Sequence, residues 1–321
     1  LRVPGGALLS GIYAGDPETL SVRTALPVLA KMEEEYGSVM RGTRKNGTFP
    51  GAPKDAKETG GRFAAFDRGM GTLVNALRSR LPDGTVRLRS RVKRIDAIGG
   101  GFRVHLNGAA PIDCDAVIVA LPAPGAALVT EGLDLELSLA LSRIKYVSNV
   151  VINLAYRKSE VPHHLGGSGF LVPSSERLPV LACTFSSVKF KGRSPNDAVL
   201  FRVVAGGARN PVICGEEDGR LVDIADGALS TILGIKSAPG FGTVSRNPES
   251  TPHYAVGHGE LLARINERAG RFPSLRLAGN AYGGAGIPDC IRSGEEAASE
   301  IFRYVADKET KYEGRKSCWR A

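Results

Sequence analysis

The stretch Arg276 to Phe302, RLAGNAYGGAGIPDCIRSGEEAASEIF, reads as a buried strand, a glycine loop and then a helix. Apolar Leu275, Leu277 and Ala278 stop at Gly279, and Gly283, Gly284 and Gly286 allow close backbone approach to a flat or anionic group. Ser293-Gly294 is expected to lead into an alanine-rich helix. Such a loop gathers backbone N–H groups and the positive end of a helix at one spot. The same spacing also serves a tight strand-to-helix turn with no ligand.

Working outward, three patterns place this loop in an α/β chain. Phe63 onward reads as strand, the glycine turn Gly69-Met70-Gly71, and a helix carrying Leu73, Val74 and Leu77. Val86 to Leu88 and Arg91 to Ile95 alternate like strands, and Gly99-Gly100-Gly101 turns the chain into Phe102 to Leu106. Asp115 to Leu121 is continuously apolar after its acid, as expected of a strand covered on both faces. Pro122 and Pro124 then punctuate the exit. Beyond them, residues 147–156, 170–172, 180–185 and 199–205 are strand-like, 218–233 helical, and a helix at 260–269 returns to the glycine strand. Near the start, Asp16 caps and Pro17 opens a helix whose apolar stripe is Leu20, Leu26, Leu29, Met32 and Tyr36, ending at Gly37. Residues 42–61 lose that periodicity and read as a loop or hairpin.

Asn280, Tyr282, Gly284, Gly286-Ile287-Pro288-Asp289-Cys290 and Ser293-Gly294 together resemble the C-terminal flavin segment of the protoporphyrinogen oxidases within the wider flavin amine oxidase family. Five further stretches resemble it in the same order: Ser10 to Gly42, FDRGMGTLVNAL at Phe66 to Leu77, DAVIVALPAP at Asp115 to Pro124, GFLVPSSE at Gly169 to Glu176, and TFSSVKFKGRSP at Thr184 to Pro195. The resemblance implies an incomplete FAD-binding doubly wound domain, an inserted mixed-sheet substrate domain, and the remnant of a helical membrane-associated domain. Its expected segments are 1–60 for the helical region, 61–125 and 259–321 for the FAD-binding domain, and 126–258 for the substrate domain. No strand followed by G-x-G-x-x-G is found in the chain, so it is expected to be the C-terminal part of a longer protein, without the segment that grips the FAD pyrophosphate.

The resemblance assigns FAD contacts to Val92 at the adenine end, to Gly259, and to Ala285, Gly286 and Ile287 at the isoalloxazine. It places Leu171, Thr184 and Val204 against a tetrapyrrole substrate, positions that also suit ordinary sheet core. Asp289 reads as a helix cap rather than a catalytic acid. The activity implied is FAD-dependent oxidation of protoporphyrinogen IX to protoporphyrin IX by dioxygen in haem biosynthesis. Coproporphyrinogen oxidation, another flavin amine oxidase activity, and tetrapyrrole binding without turnover are the alternatives. Isolated, these residues are expected to hold little FAD and to be inactive.

Composition supports few other classes. The net charge is +9, but the basic residues are scattered with no run of five, which argues against nucleic acid and leaves acidic ligands or an anionic membrane surface as partners. Five cysteines with no C-x-x-C pair fit a reducing, cytoplasmic compartment, and five histidines without ligand spacing predict no metal. No apolar run is long enough to span a bilayer, so contact with the inner membrane would be peripheral. The resemblance leaves room for a homodimer.

Overall fold

A computed structural model describes residues 2–46 and 64–318. Four helices come first: α1 (Arg2–Tyr13), α2 (Val22–Ala25), α3 (Pro27–Tyr36) and α4 (Val39–Asn46). The single helix expected from Asp16 to Tyr36 does not form. Residues 16–20 make a turn and a bridge, so Asp16 caps no helix and α2 starts only at Val22. Pro27, which carries no N–H, separates α2 from α3 by holding Leu26 out of helical geometry, at φ −133° and ψ 62°. Gly37 does end α3, in the left-handed conformation. The loop expected at 42–61 begins inside α4, and residues 47–61 lie outside the described residues, as does Phe63. Then follow α5 (Gly71–Arg78), β1 (Val92–Ile98), β2 (Gly101–Leu106), β3 (Ile112–Cys114), β4 (Val117–Val119), α6 (Ala123–Thr130) and α7 (Leu135–Ser142). Val86 to Leu88 form no strand; the alternation there is three residues long and has no partner among the described strands.

The chain continues through β5 (Tyr146–Arg157), β6 (Gly169–Leu171), β7 (Val180–Phe185), α8 (Ser186–Lys189), β8 (Ala198–Gly206), α9 (Asp218–Leu233), β9 (Phe241–Pro252), α10 (His258–Ala269), β10 (Leu275–Leu277) and α11 (Ile287–Cys318). Contacts group it into two units, one spanning Leu1–Val86 and Tyr146–Thr251, the other Arg87–Lys145 and Pro252–Ala321. The boundaries expected at 61, 126 and 259 therefore shift. Residues 126–145 join the second unit because α6 packs on β1 and α7 on α10.

In the first unit the sheet order is β6-β7-β8-β5-β9. β6 with β7, β7 with β8, and β5 with β8 all pair antiparallel. β5 and β9 also run antiparallel, as the bonds from Gly240 N–H to Ala155 O (2.9 Å) and from Asn153 Nδ2 to Thr243 Oγ1 (3.3 Å) show. The sheet is thus antiparallel rather than mixed. α9 connects β8 and β9, which run parallel with β5 between them. One sheet face carries the core: Ile152, Leu154, Tyr156, Phe201 and Val203, closed by Leu221, Ala225 and Leu229 of α9. Tyr156, Phe201 and Phe185 meet edge to face at 5.8 and 5.5 Å, and the Tyr156 hydroxyl donates to Asp226 Oδ1 at 2.6 Å. Burial, then Asp226, push the Tyr156 hydroxyl pKa far above its ordinary value.

The second unit contains the antiparallel sheet β1-β2-β3 and a parallel pair in which β10 runs beside β4, Leu275 opposite Val117. The strand expected over Asp115 to Leu121 is thus three residues long, and it is not covered on both faces. Ile118 is 38% exposed and Leu121 41%, and β10 alone pairs with β4 among the described strands. Asp134 caps α7 by accepting from Leu137 N–H at 2.8 Å, and both its carboxylate oxygens accept from Arg268 Nη2 of α10, at 2.7 and 2.6 Å. Burial pushes the Asp134 carboxyl up, but Arg268 and the cap outweigh it and hold the pKa below the usual carboxylate value.

Candidate functional site

The glycine loop leaves β10 at Ala278, whose N–H still donates to Val119 O at 3.1 Å. Gly279 then turns at φ +129° and its N–H donates to Ser293 Oγ at 3.1 Å, which ties the loop's start to the second turn of α11. That helix opens at Ile287-Pro288, six residues earlier than the Ser293-Gly294 signal implied, because proline suits a first turn whose N–H groups have no helical acceptor. Gly284 stands at φ +134°, and a Cβ there would meet Asp289 Oδ2 at 2.6 Å; one on Gly286 would meet it at 2.9 Å. Asp289 is therefore no N-cap but a first-turn carboxylate folded back against the loop, where it also accepts from Arg292 Nη1 at 3.2 Å. Ala285, Gly286 and Ile287 form the outer rim of this turn, Gly286 and Ile287 exposed.

Two side chains that the sequence did not single out hold the loop from beneath. Buried Tyr254 donates its hydroxyl to Asn280 O, and buried His258 hydrogen-bonds through Nε2 to Ala281 O at 3.0 Å. Their rings lie 4.9 Å apart. Donation to a carbonyl puts the His258 proton on Nε2. Burial lowers its pKa, more than the Ala281 carbonyl raises it. Gly257, at φ +87°, precedes α10, so Gly259 falls in the first turn of that helix rather than in a free turn.

Val92 lines a cavity of about 850 Å³ together with Val117, Ile118, Leu121 and Leu128. A register shift between Val92 and Arg94 interrupts the β1–β2 ladder at that point. A second cavity, about 800 Å³, is lined by Leu275, Leu277, Tyr282, Gly283, Asp289 and Ser293. The cofactor positions are thus divided: Val92 opens on the first cavity, the glycine loop borders the second, and Gly259 lines neither.

The three expected substrate residues do share a surface. β6 Leu171 pairs with Ala182, which pairs with Val204, while Thr184 stands two residues along β7. All lie opposite the core-facing Cys183, Phe185, Phe201 and Val203. α1 crosses the Leu171 end so closely that a Cβ on Gly11 would reach Leu171 Cδ2 at 2.4 Å.

The model of the flavin containing amine oxidoreductase family matches residues 6–302, and the chain belongs to that family. Its cofactor is FAD. Among curated relatives it is 28% identical to the coproporphyrinogen III oxidase of Bacillus subtilis over 93% of this chain and 63% of the relative. It is likewise 28% identical to the mitochondrial protoporphyrinogen oxidase of Nicotiana tabacum over 94% of this chain and 65% of that one. The "Putative protoporphyrinogen oxidase" structure from Exiguobacterium sp. 255-15 superposes with a TM-score of 0.77 at 26% identity, covering 94% of this chain and 63% of the other. Cyclohexylamine oxidase from Brevibacterium oxydans, at 15% identity and a TM-score of 0.68, shares the fold. The chain spans about 63% of the length of the curated relatives.

The loop fits the cofactor: Gly279 and Gly283 have nothing within 4 Å of a would-be Cβ, so backbone there is open to a flat group. Among the described residues no helix is long and apolar enough to cross a membrane.

Proposed function

We propose that these residues belong to an oxidase that converts protoporphyrinogen IX to protoporphyrin IX, with FAD as hydride acceptor and dioxygen as terminal oxidant. Three two-electron rounds consume three dioxygen molecules and yield three hydrogen peroxides. Bound FAD would supply the hydride-accepting ring, and the chain's part is to bind and orient. Ala285, Gly286 and Ile287 would offer main-chain N–H groups and the positive end of α11 to the ring's electron-rich edge. Tyr254 and His258 would keep that turn in place, and Val92 would lie along the adenine end, leaving Gly259 at the edge of the cofactor. The first unit would hold the macrocycle against Leu171, Thr184 and Val204.

The observation that carries this reading is the run of porphyrinogen-oxidase relatives over more than nine-tenths of the chain. Coproporphyrinogen III is the second reading, because the Bacillus and Mycobacterium relatives bear that name. We also propose that a pyrophosphate-binding strand and glycine turn from outside these residues completes the flavin domain, and that residues 1–321 alone hold FAD weakly. The exposed Ile12, Val22 and Met40 support the first helices as a peripheral membrane contact; a homodimer is read out by light scattering.

The test mixes anaerobically prepared porphyrinogens with FAD-loaded protein that includes such a segment, and follows porphyrin emission. Emission above the rate of autoxidation supports the proposal, and the faster substrate names the porphyrinogen. Oxidation of amines alone would assign another flavin oxidase, and tight porphyrin binding by protein devoid of flavin would assign a carrier.

A further inference from the structure

The face of the five-stranded sheet that bears Leu171, Thr184 and Val204 also carries a charge no role above uses. Arg202 of β8 sits in register between Thr184 of β7 and Asn153 of β5. Its neighbours Phe201 and Val203 point into the core, so Arg202 emerges on the opposite face, where it is exposed. No carboxylate pairs with it among the described residues. Lys189 of α8 lies close enough to feel it: burial first, then the charge of Arg202, lowers the Lys189 pKa. Desolvation by the surrounding protein lowers that of Arg202 as well. Asn153 uses its Nδ2 on Thr243 and offers no charge.

The next row along the strands is apolar, with Leu171, Ala182, Val204 and Val151 side by side. Ala182 and Val151 are buried, whereas Leu171 and Val204 still reach the surface. Two residues of strand separate the rows, roughly 7 Å. A surface that is apolar on one side and carries the Arg202 cation about 7 Å away suits a flat apolar body with carboxylates on one edge. A guanidinium fork grips a carboxylate with two parallel N–H bonds.

We propose that Arg202 binds a side-chain carboxylate of the tetrapyrrole and so fixes which edge of the macrocycle lies across β8. This rests on the porphyrinogen reading, with the carboxylate contact as the added claim. The test measures binding of protoporphyrin IX and of its dimethyl ester to the full chain, by fluorescence quenching, for the wild type, Arg202→Leu and Arg202→Lys. Thermal melts verify that each variant folds. The free acid is expected to bind about tenfold more tightly than the ester, one charge-assisted hydrogen-bonded contact. Arg202→Leu should erase that ratio by weakening the acid alone, and Arg202→Lys should restore part of it. Equal weakening of acid and ester, or an unchanged ratio in Arg202→Leu, would overturn the carboxylate contact and leave the tetrapyrrole reading standing. Failure of the wild type to bind either porphyrin would overturn both.

Discussion

The two units satisfy their apolar surfaces in different ways. In the first, both flanks of the central strands are occupied on the core side, and Leu221, Leu229, Leu154 and Phe201 are fully buried by the sheet and α9. In the second, β4 has one partner among the described strands, Leu128 is 64% exposed, and cavities of about 850 and 800 Å³ are lined by the strands of its parallel pair. Parallel strands are ordinarily covered on both faces, so the β4–β10 pair leaves apolar surface uncovered, while in the first unit the core face of the sheet is closed by α9. The positions proposed for FAD, Val92, Ala285, Gly286 and Ile287, all lie in this second unit.

The largest effect that would sharpen this contrast is in the closed core. Phe201→Ala should cost the first unit about 3–5 kcal/mol, measured by urea unfolding, because a fully buried ring in a well-packed row leaves a cavity that cannot collapse. A loss below 1 kcal/mol would mean the row is not the core. In the second unit Asp134→Ala should cost about 2–4 kcal/mol, since it removes a helix cap and strands the charge of Arg268 at once. Asp134→Asn, which keeps the cap, should recover part of that loss.

A smaller effect depends on pH. His258 has a folded pKa below its unfolded value, so the unfolded chain binds the proton more readily and stability is lost as pH falls below about 6.5. His258→Gln keeps a donor for Ala281 O and should flatten the stability profile between pH 7 and 5; an unchanged slope would place the proton uptake elsewhere. Smallest of all, Ile118→Ser should shift stability by about 0.5 kcal/mol or less, as an exposed position does, yet weaken FAD binding because it faces the cavity at Val92. A large stability loss there would show that β4 is already covered.

Much of the first unit was legible from alternation and helical period alone: β7 and α9 begin and end where the residues 180–185 and 218–233 indicated. The helix after Asp16 was not, because Asp-Pro-Glu opens a turn as readily as a helix and the apolar stripe continues through Pro27, where the chain breaks again. The sheet expected to be mixed is antiparallel, because alternation marks where strands lie but not their order or direction. The glycine loop stood out as a string, whereas Tyr254 and His258 did not. Both act on backbone carbonyls more than 20 residues away, and a main-chain acceptor leaves no residue type to recognise. Arg202 was hidden for a related reason, as only register places it between Thr184 and Asn153.

Hydrogen exchange read by mass spectrometry, with and without millimolar FAD, tests the division of labour most directly. The account predicts slowed exchange in residues 279–287 and around Val92 and Ile118, with the strands of the first unit unchanged. Protection confined to residues 146–251, with the glycine loop exchanging as before, would contradict it.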